Sequence, residues 1–170
     1  MWRQSVFSYI CTLFRLTKMK RIILIGCFFL CLLGCKPKAD DSALLHRDFF
    51  ETLWERFDYV KKDILVVDET SFDLSLKIAF TDDYPYNDFS MVFTVFTDDG
   101  NPYRSRGYKF NLKDVESHWN VEQKDGCYTY VLPINKDLRI TDAGTYTFQI
   151  ENRMPITPLV GVKELTLLRN

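Results

Sequence analysis

Hydrophobic positions recur with a period of two along most of the chain. Leu74, Leu76, Ile78 and Phe80 alternate with Ser75, Lys77 and Ala79, an arrangement that gives one apolar face and predicts a half-buried strand. From Phe89 to Thr97 both alternating sets are apolar, Met91, Phe93 and Val95 against Val92 and Phe96, as a central strand requires. Asp98-Asp99-Gly100-Asn101-Pro102 then ends the run with turn chemistry. Tyr103 to Leu112, Cys127 to Leu132 with Pro133 as its stop, Gly144 to Glu151 and Leu159 to Leu168 are four more candidates. Six strands at this spacing predict an all-β fold, an antiparallel β-sandwich.

Two stretches interrupt the alternation. Leu45, Phe49, Leu53 and Phe57 recur every four residues, while Phe57 and Tyr59 alternate, which predicts a short helix or irregular lead-in followed by an edge strand. Lys113 to Trp119 reads as a helical turn between strands. Asp142-Ala143-Gly144-Thr145-Tyr146 resembles the corner of immunoglobulin-type sandwiches, where the tyrosine hydroxyl bonds back to the turn backbone. The cysteine expected two residues later in that class is Phe148 here, so the motif specifies a corner and no binding role. The sandwich is therefore expected to be immunoglobulin-like or jelly-roll-like. No repeat and no Pro/Gly-rich break divides residues 44–170, which predicts one domain there.

The first quarter of the chain has a different organisation. Met19-Lys20-Arg21 precedes a 12-residue apolar run, Ile22 to Leu33, closed by Gly34: the basic, apolar and small-residue parts of an export signal. A span would need about 20 residues. Leu32-Leu33-Gly34-Cys35 resembles a bacterial lipobox, in which the leader (residues 1–34) is removed and the cysteine carries diacylglycerol and an N-terminal acyl chain such as palmitate. Cys35 is thus the expected lipid attachment, with Met19 the expected true start. Residues 35–43 form the lipidated end and a polar tether; its Lys36-to-Ala43 stretch has a reach of roughly 15 Å. Lys36 after the cysteine favours release to the outer membrane in the Gram-negative sorting pattern, and Asp40-Asp41 faintly resembles an acidic surface-export signal; neither decides between periplasmic and external leaflets.

Charge and cysteine count narrow the chemistry. Of 22 Lys and Arg, five precede residue 35, where there is no acid, so the remainder holds 17 basic against 23 acidic groups. That excess argues against nucleic acid as a partner. Arg104, Arg106 and Lys109 near Tyr103 and Tyr108 read as a salt-bridged strand face. Of the five cysteines only Cys35 and Cys127 survive removal of the leader, which excludes a disulfide framework; Cys127 reads as a buried inert thiol. His46 and His118 stand alone in sequence, so no metal site and no cofactor are expected. No nucleophile elbow or phosphate loop is present, and the pairs Asp82-Asp83 and Asp98-Asp99 read as solvated turns. Neither an enzyme nor a small-molecule substrate is expected.

The lipobox, Trp54, Asp83-Tyr84-Pro85-Tyr86, and the ending Gly144-x-Tyr146-x-Phe148, Arg153-Met154 and Leu159-x-Gly161-Val162 together resemble the GldH family of gliding-motility lipoproteins of Bacteroidetes. The resemblance implies an outer-membrane, lipid-anchored, non-catalytic accessory or scaffold of the gliding and type IX secretion machinery. Its partners would be the membrane and other envelope lipoproteins or gliding and secretion proteins. It makes Tyr84, Pro85 and Tyr86 the candidate interaction surface, although Pro85 setting a turn and the two rings capping the core is the simpler role. A surface lipoprotein binding carbohydrate through exposed aromatics is the alternative. It requires a row of rings on one sheet face.

Overall fold

The computed structural model describes residues 42–170, so the leader, Cys35 and most of the tether lie outside the described residues. Eleven strands follow in order: β1 (Ala43–Asp48), β2 (Leu53–Trp54), β3 (Val60–Val66), β4 (Thr70–Phe80), β5 (Asp88–Phe96), β6 (Pro102–Asn111), β7 (Gln123–Lys124), β8 (Cys127–Ile140), β9 (Gly144–Asn152), β10 (Leu159–Val160) and β11 (Val162–Arg169). They form a five-stranded sheet ordered β1-β11-β4-β8-β7, a four-stranded sheet ordered β3-β9-β5-β6, and a small β10-β2 pair. Every pairing is antiparallel. The expected β-sandwich is the observed one. No helix among the described residues is long and apolar enough to cross a membrane.

The alternation seen in the sequence sets the core. Leu74, Leu76, Ile78 and Phe80 of β4 and Phe89, Met91, Phe93 and Val95 of β5 are all buried, one set from each sheet. Rings join the layers: Phe72 of β4 meets Phe148 of β9 edge-on at 5.4 Å, and Phe80 of β4 meets Phe89 of β5 at 5.7 Å. Each fully buried ring of this kind contributes about 2–3 kcal/mol of transfer free energy. The corner motif behaves as its sequence implies, with the Tyr146 hydroxyl donating to the Asp142 carbonyl at 3.1 Å.

Three expectations need correction. Leu45 to Phe57 holds no α-helix: β1 pairs with β11 through His46↔Thr166 and Asp48↔Glu164, and a 3-10 turn, Phe50–Thr52, follows. The fourfold spacing is coincidental, since Leu45 and Phe49 are buried while Phe57 is 75% exposed. An edge strand does follow, but it begins only at Val60, as β3 at the margin of the four-stranded sheet; Phe57 and Tyr59, whose alternation predicted it, precede it in an irregular segment. Pro133 does not end its strand. It sits opposite Ser75 beside a register shift, and β7 covers only Cys127 and Tyr128 of β8, so the missing N–H faces an open edge. Lys113 to Trp119 is a turn closed by a Lys113↔Trp119 bridge rather than a helical turn; the Asp114 carboxylate accepts from the Glu116 and His118 amides at 2.9 Å each.

Strand direction gives the domain two ends. The chain enters at Ser42, whose carbonyl accepts from the Arg169 amide at 2.8 Å, and β1 carries it roughly 20 Å to the opposite end. There segments 49–59, 81–87, 112–126 and 153–161 gather. Gly161 ties three of them: its amide donates to Thr52 and its carbonyl accepts from Thr81, both at 2.9 Å. It has φ +85°, and a Cβ there would lie 2.4 Å from the Tyr84 amide nitrogen, so only glycine fits. Gly161→Ala is expected to destabilise the domain by about 3 kcal/mol or more, read as a lower urea midpoint at unchanged slope; a loss below about 0.5 kcal/mol would contradict the close approach.

Candidate functional site

The end opposite Ser42 carries most of the residues singled out by sequence. Trp54 is fully buried, its Nε1 donating to the Asp58 carbonyl at 2.8 Å, with Phe49 at 4.8 Å and Phe89 at 6.2 Å between ring centroids. Tyr84 is 1% exposed; its hydroxyl donates to the Asp88 carbonyl at 2.6 Å, and its ring packs on Phe80 at 4.5 Å and Tyr86 at 5.8 Å. Burial, reinforced by Asp88 and Tyr86, pushes the Tyr84 phenol well above its ordinary range. Met154 caps the same region, its sulfur accepting from the Ser90 amide at 3.2 Å.

A lysine completes the cluster. Lys113 Nζ donates to the Tyr84 carbonyl at 2.9 Å and lies 4.3 Å from the Trp119 ring centroid, a cation–π contact. Desolvation lowers its pKa. Trp119 stacks on Tyr128 at 4.2 Å and 10°, and the Tyr128 hydroxyl donates to Asp82 at 2.9 Å. Asp82 also receives Gln123 Nε2 at 3.0 Å, so this carboxylate braces the cluster instead of standing free in a turn. Asp99, by contrast, is a turn acid held by Thr97 and Asn101, whose hydrogen bonds lower its pKa.

The Tyr84-Pro85-Tyr86 expectation is corrected in part. Tyr84 is unavailable to a partner; Pro85 is exposed and Tyr86 half-buried, with its hydroxyl enclosed and lacking a hydrogen bond. The two rings cap the core. The tryptophans Trp54 and Trp119 and the tyrosines Tyr84, Tyr130 and Tyr146 are likewise taken up by packing or half-buried, and among the described residues no exposed row of rings lies on a sheet face, which counts against the carbohydrate alternative. Of the basic patch, only Lys109 makes an ion pair among the described residues, with Asp88 at 2.8 Å; Arg106 lies over the Tyr108 ring.

Surface features not foreseen from sequence lie at the same end. Phe50 is 85% exposed, with Phe57, Ile156 and Val160 also in solvent. Arg56 pins the Phe57 loop to the 153–157 segment, its Nη2 donating to the Pro155 carbonyl at 3.1 Å and its amide to Thr157 Oγ1 at 3.0 Å. A cleft of about 450 Å³ opens there, lined by Arg56, Phe57, Glu151, Arg153, Met154 and Pro155 among others. His118 sits on an exposed turn 3.5 Å from Asp114 and 3.6 Å from Glu116. Cys127 is buried and free. His46 is not isolated, as sequence spacing implied: Asp48 and Glu164 lie beside it.

Comparison with known proteins gives one strong match. The family model described as GldH lipoprotein matches residues 45–167. No curated protein matches the chain. Among solved structures, a family 35 carbohydrate binding module from Clostridium thermocellum aligns at TM-score 0.36 and 14% identity, over 76% of this chain and 93% of that one. A chain of the T13 IBDV viral particle aligns at 0.36 and 13%, over 79% and 33%, and dimeric latent PorU from Porphyromonas gingivalis at 0.34 and 10%, over 75% and 11%. The chain thus spans a third or less of the latter two.

Tyr84→Phe removes a buried donor and leaves the Asp88 carbonyl unpaired, so a loss of about 1–2 kcal/mol in unfolding free energy is expected. Unchanged stability would show that the hydroxyl is not structural.

Proposed function

The chain belongs to the GldH lipoprotein family, and on that premise we propose that it is a non-catalytic accessory subunit of the gliding-motility and type IX secretion machinery. Membership makes it a membrane-associated lipoprotein related to gliding motility. In this reading Cys35 carries the lipid, the anchor holds the domain in the outer membrane, and the sandwich works by binding another envelope protein. Confinement by a tether raises its effective concentration against partners in the same thin layer, without any reactive group.

The observation that carries the reading is the division of labour between the two ends. The chain reaches the domain at Ser42, beside the carboxyl-terminal Arg169, whereas Phe50, Phe57, Ile156 and Val160 lie exposed at the opposite end. Apolar groups exposed at the end opposite Ser42, with Arg56 and Arg153 lining the cleft beside Phe57, have the composition of a protein-binding surface. The braced aromatic cluster beneath them holds the loops in place.

Two experiments test it. Cys35→Ala should move the protein from the membrane fraction to the soluble envelope fraction and abolish its support of gliding; retained membrane attachment and full function would remove the mechanism. Phe57→Asp with Ile156→Asp should leave the melting temperature nearly unchanged, because both sites are exposed, while eliminating capture of gliding or secretion components from crosslinked envelopes. Undiminished capture would place the binding surface elsewhere.

A further inference from the structure

Antiparallel pairing of β1 with β11 brings together three side chains that lie as much as 118 positions apart in sequence. His46 and Asp48 are two residues apart on β1, so both project to the outer face of the five-stranded sheet. The register places Asp48 opposite Glu164 and His46 opposite Thr166. One ligand atom from each of His46, Asp48 and Glu164 falls within 4.8 Å of the other two, with His46 Nε2 3.3 Å from Asp48 Oδ2.

The histidine is oriented from behind. Its Nδ1 is 2.8 Å from Thr166 Oγ1, and Thr166 is only 8% exposed, so the hydroxyl is fixed by the sheet. With Nδ1–H donated to that oxygen, the Nε2 lone pair faces the two carboxylates, the arrangement by which a backing acceptor prepares an imidazole for a metal. Glu164 is half-buried; its backbone belongs to the β11 ladder, and its carboxylate makes no ion pair or hydrogen bond among the described residues. It lines a groove of about 550 Å³ on the same face, floored by the small residues Ala79 and Thr129. Lys77 and Lys163 share this groove without pairing with Glu164, which leaves its carboxylate available and the approach from solvent open.

We propose that His46, Asp48 and Glu164 bind a first-row divalent cation of the zinc class, with water completing the shell. One imidazole nitrogen and two carboxylates suit such an ion better than calcium or magnesium, which favour all-oxygen sites. Ligand bonds of about 2.0–2.2 Å require ligating atoms about 3.3 Å apart, the separation that His46 Nε2 and Asp48 Oδ2 already have, so the Glu164 side chain closes the remaining distance. The ion would clip β1 to β11. β1 is an edge strand held by one neighbour and is the first element after the tether, so any pull on the amino-terminal chain loads this pairing first.

The test uses the full chain purified in detergent, stripped with EDTA and titrated with zinc chloride by calorimetry, with calcium chloride in parallel. One zinc per chain is expected, with Kd about 10 µM or tighter, and a rise in melting temperature that EDTA reverses. Glu164→Gln, which keeps shape and strand pairing, and His46→Ala should each weaken zinc at least about tenfold, while His118→Ala should titrate as wild type. Absence of saturable zinc binding, tighter binding of calcium than zinc, or unchanged affinity in Glu164→Gln and His46→Ala would overturn the proposal.

Discussion

The close passage of the Tyr84 backbone over Gly161 is the constraint on which the organisation of this domain turns. Because position 161 has no side chain, the loop after β4 can lie against the β10–β11 junction, and the hydrogen bonds of Gly161 with Thr52 and Thr81 then join three segments distant in sequence. The Tyr84 ring is thereby turned into the core. Phe80, Tyr86 and Trp119 pack around it, and Lys113 holds its carbonyl.

That arrangement explains why a chain rich in aromatic residues shows few of them as recognition groups. Rings that could have stacked on a ligand are used to brace loops, with hydroxyls spent on backbone carbonyls: Tyr84 on Asp88, Tyr130 on Leu112 and Tyr146 on Asp142. Such acceptors offset the cost of burying a phenol; the enclosed hydroxyls of Tyr86 and Tyr108 have none. The loops themselves are then free to carry apolar side chains outward, and Phe50 and Phe57 do so. Stability and presentation come from the same end of the sandwich.

The two sheets divide the remaining tasks. β4 and β5 are interior strands that supply much of the core, while β1 and β3 at one margin and β6, β7 and the stretch of β8 beyond β7 at the other are the edges. β1 joins the folded domain to the polypeptide that precedes it, and its outer face gathers His46, Asp48 and Glu164. Forces and ligands at that margin would therefore act on a strand held by a single neighbour.

Two kinds of strand were legible from residues alone: the period of two over Leu74 to Phe80 permits one burial pattern, and the run from Phe89 to Thr97, apolar in both alternating sets, fits an interior strand. The sandwich class, the Asp142–Tyr146 corner and the family tie followed from local pattern and motif. β1 and the continuation of β8 were not: β1 has only a few alternating positions, so its pairing with β11, not its own periodicity, makes it a strand, and Pro133 is tolerated because β8 lacks an outer neighbour there. Whether Tyr84 is surface or core depends on Gly161, 77 positions away, and whether His46 is alone depends on Glu164, 118 positions away. Such proximities arise from strand register and loop closure, long-range terms that no window of sequence contains.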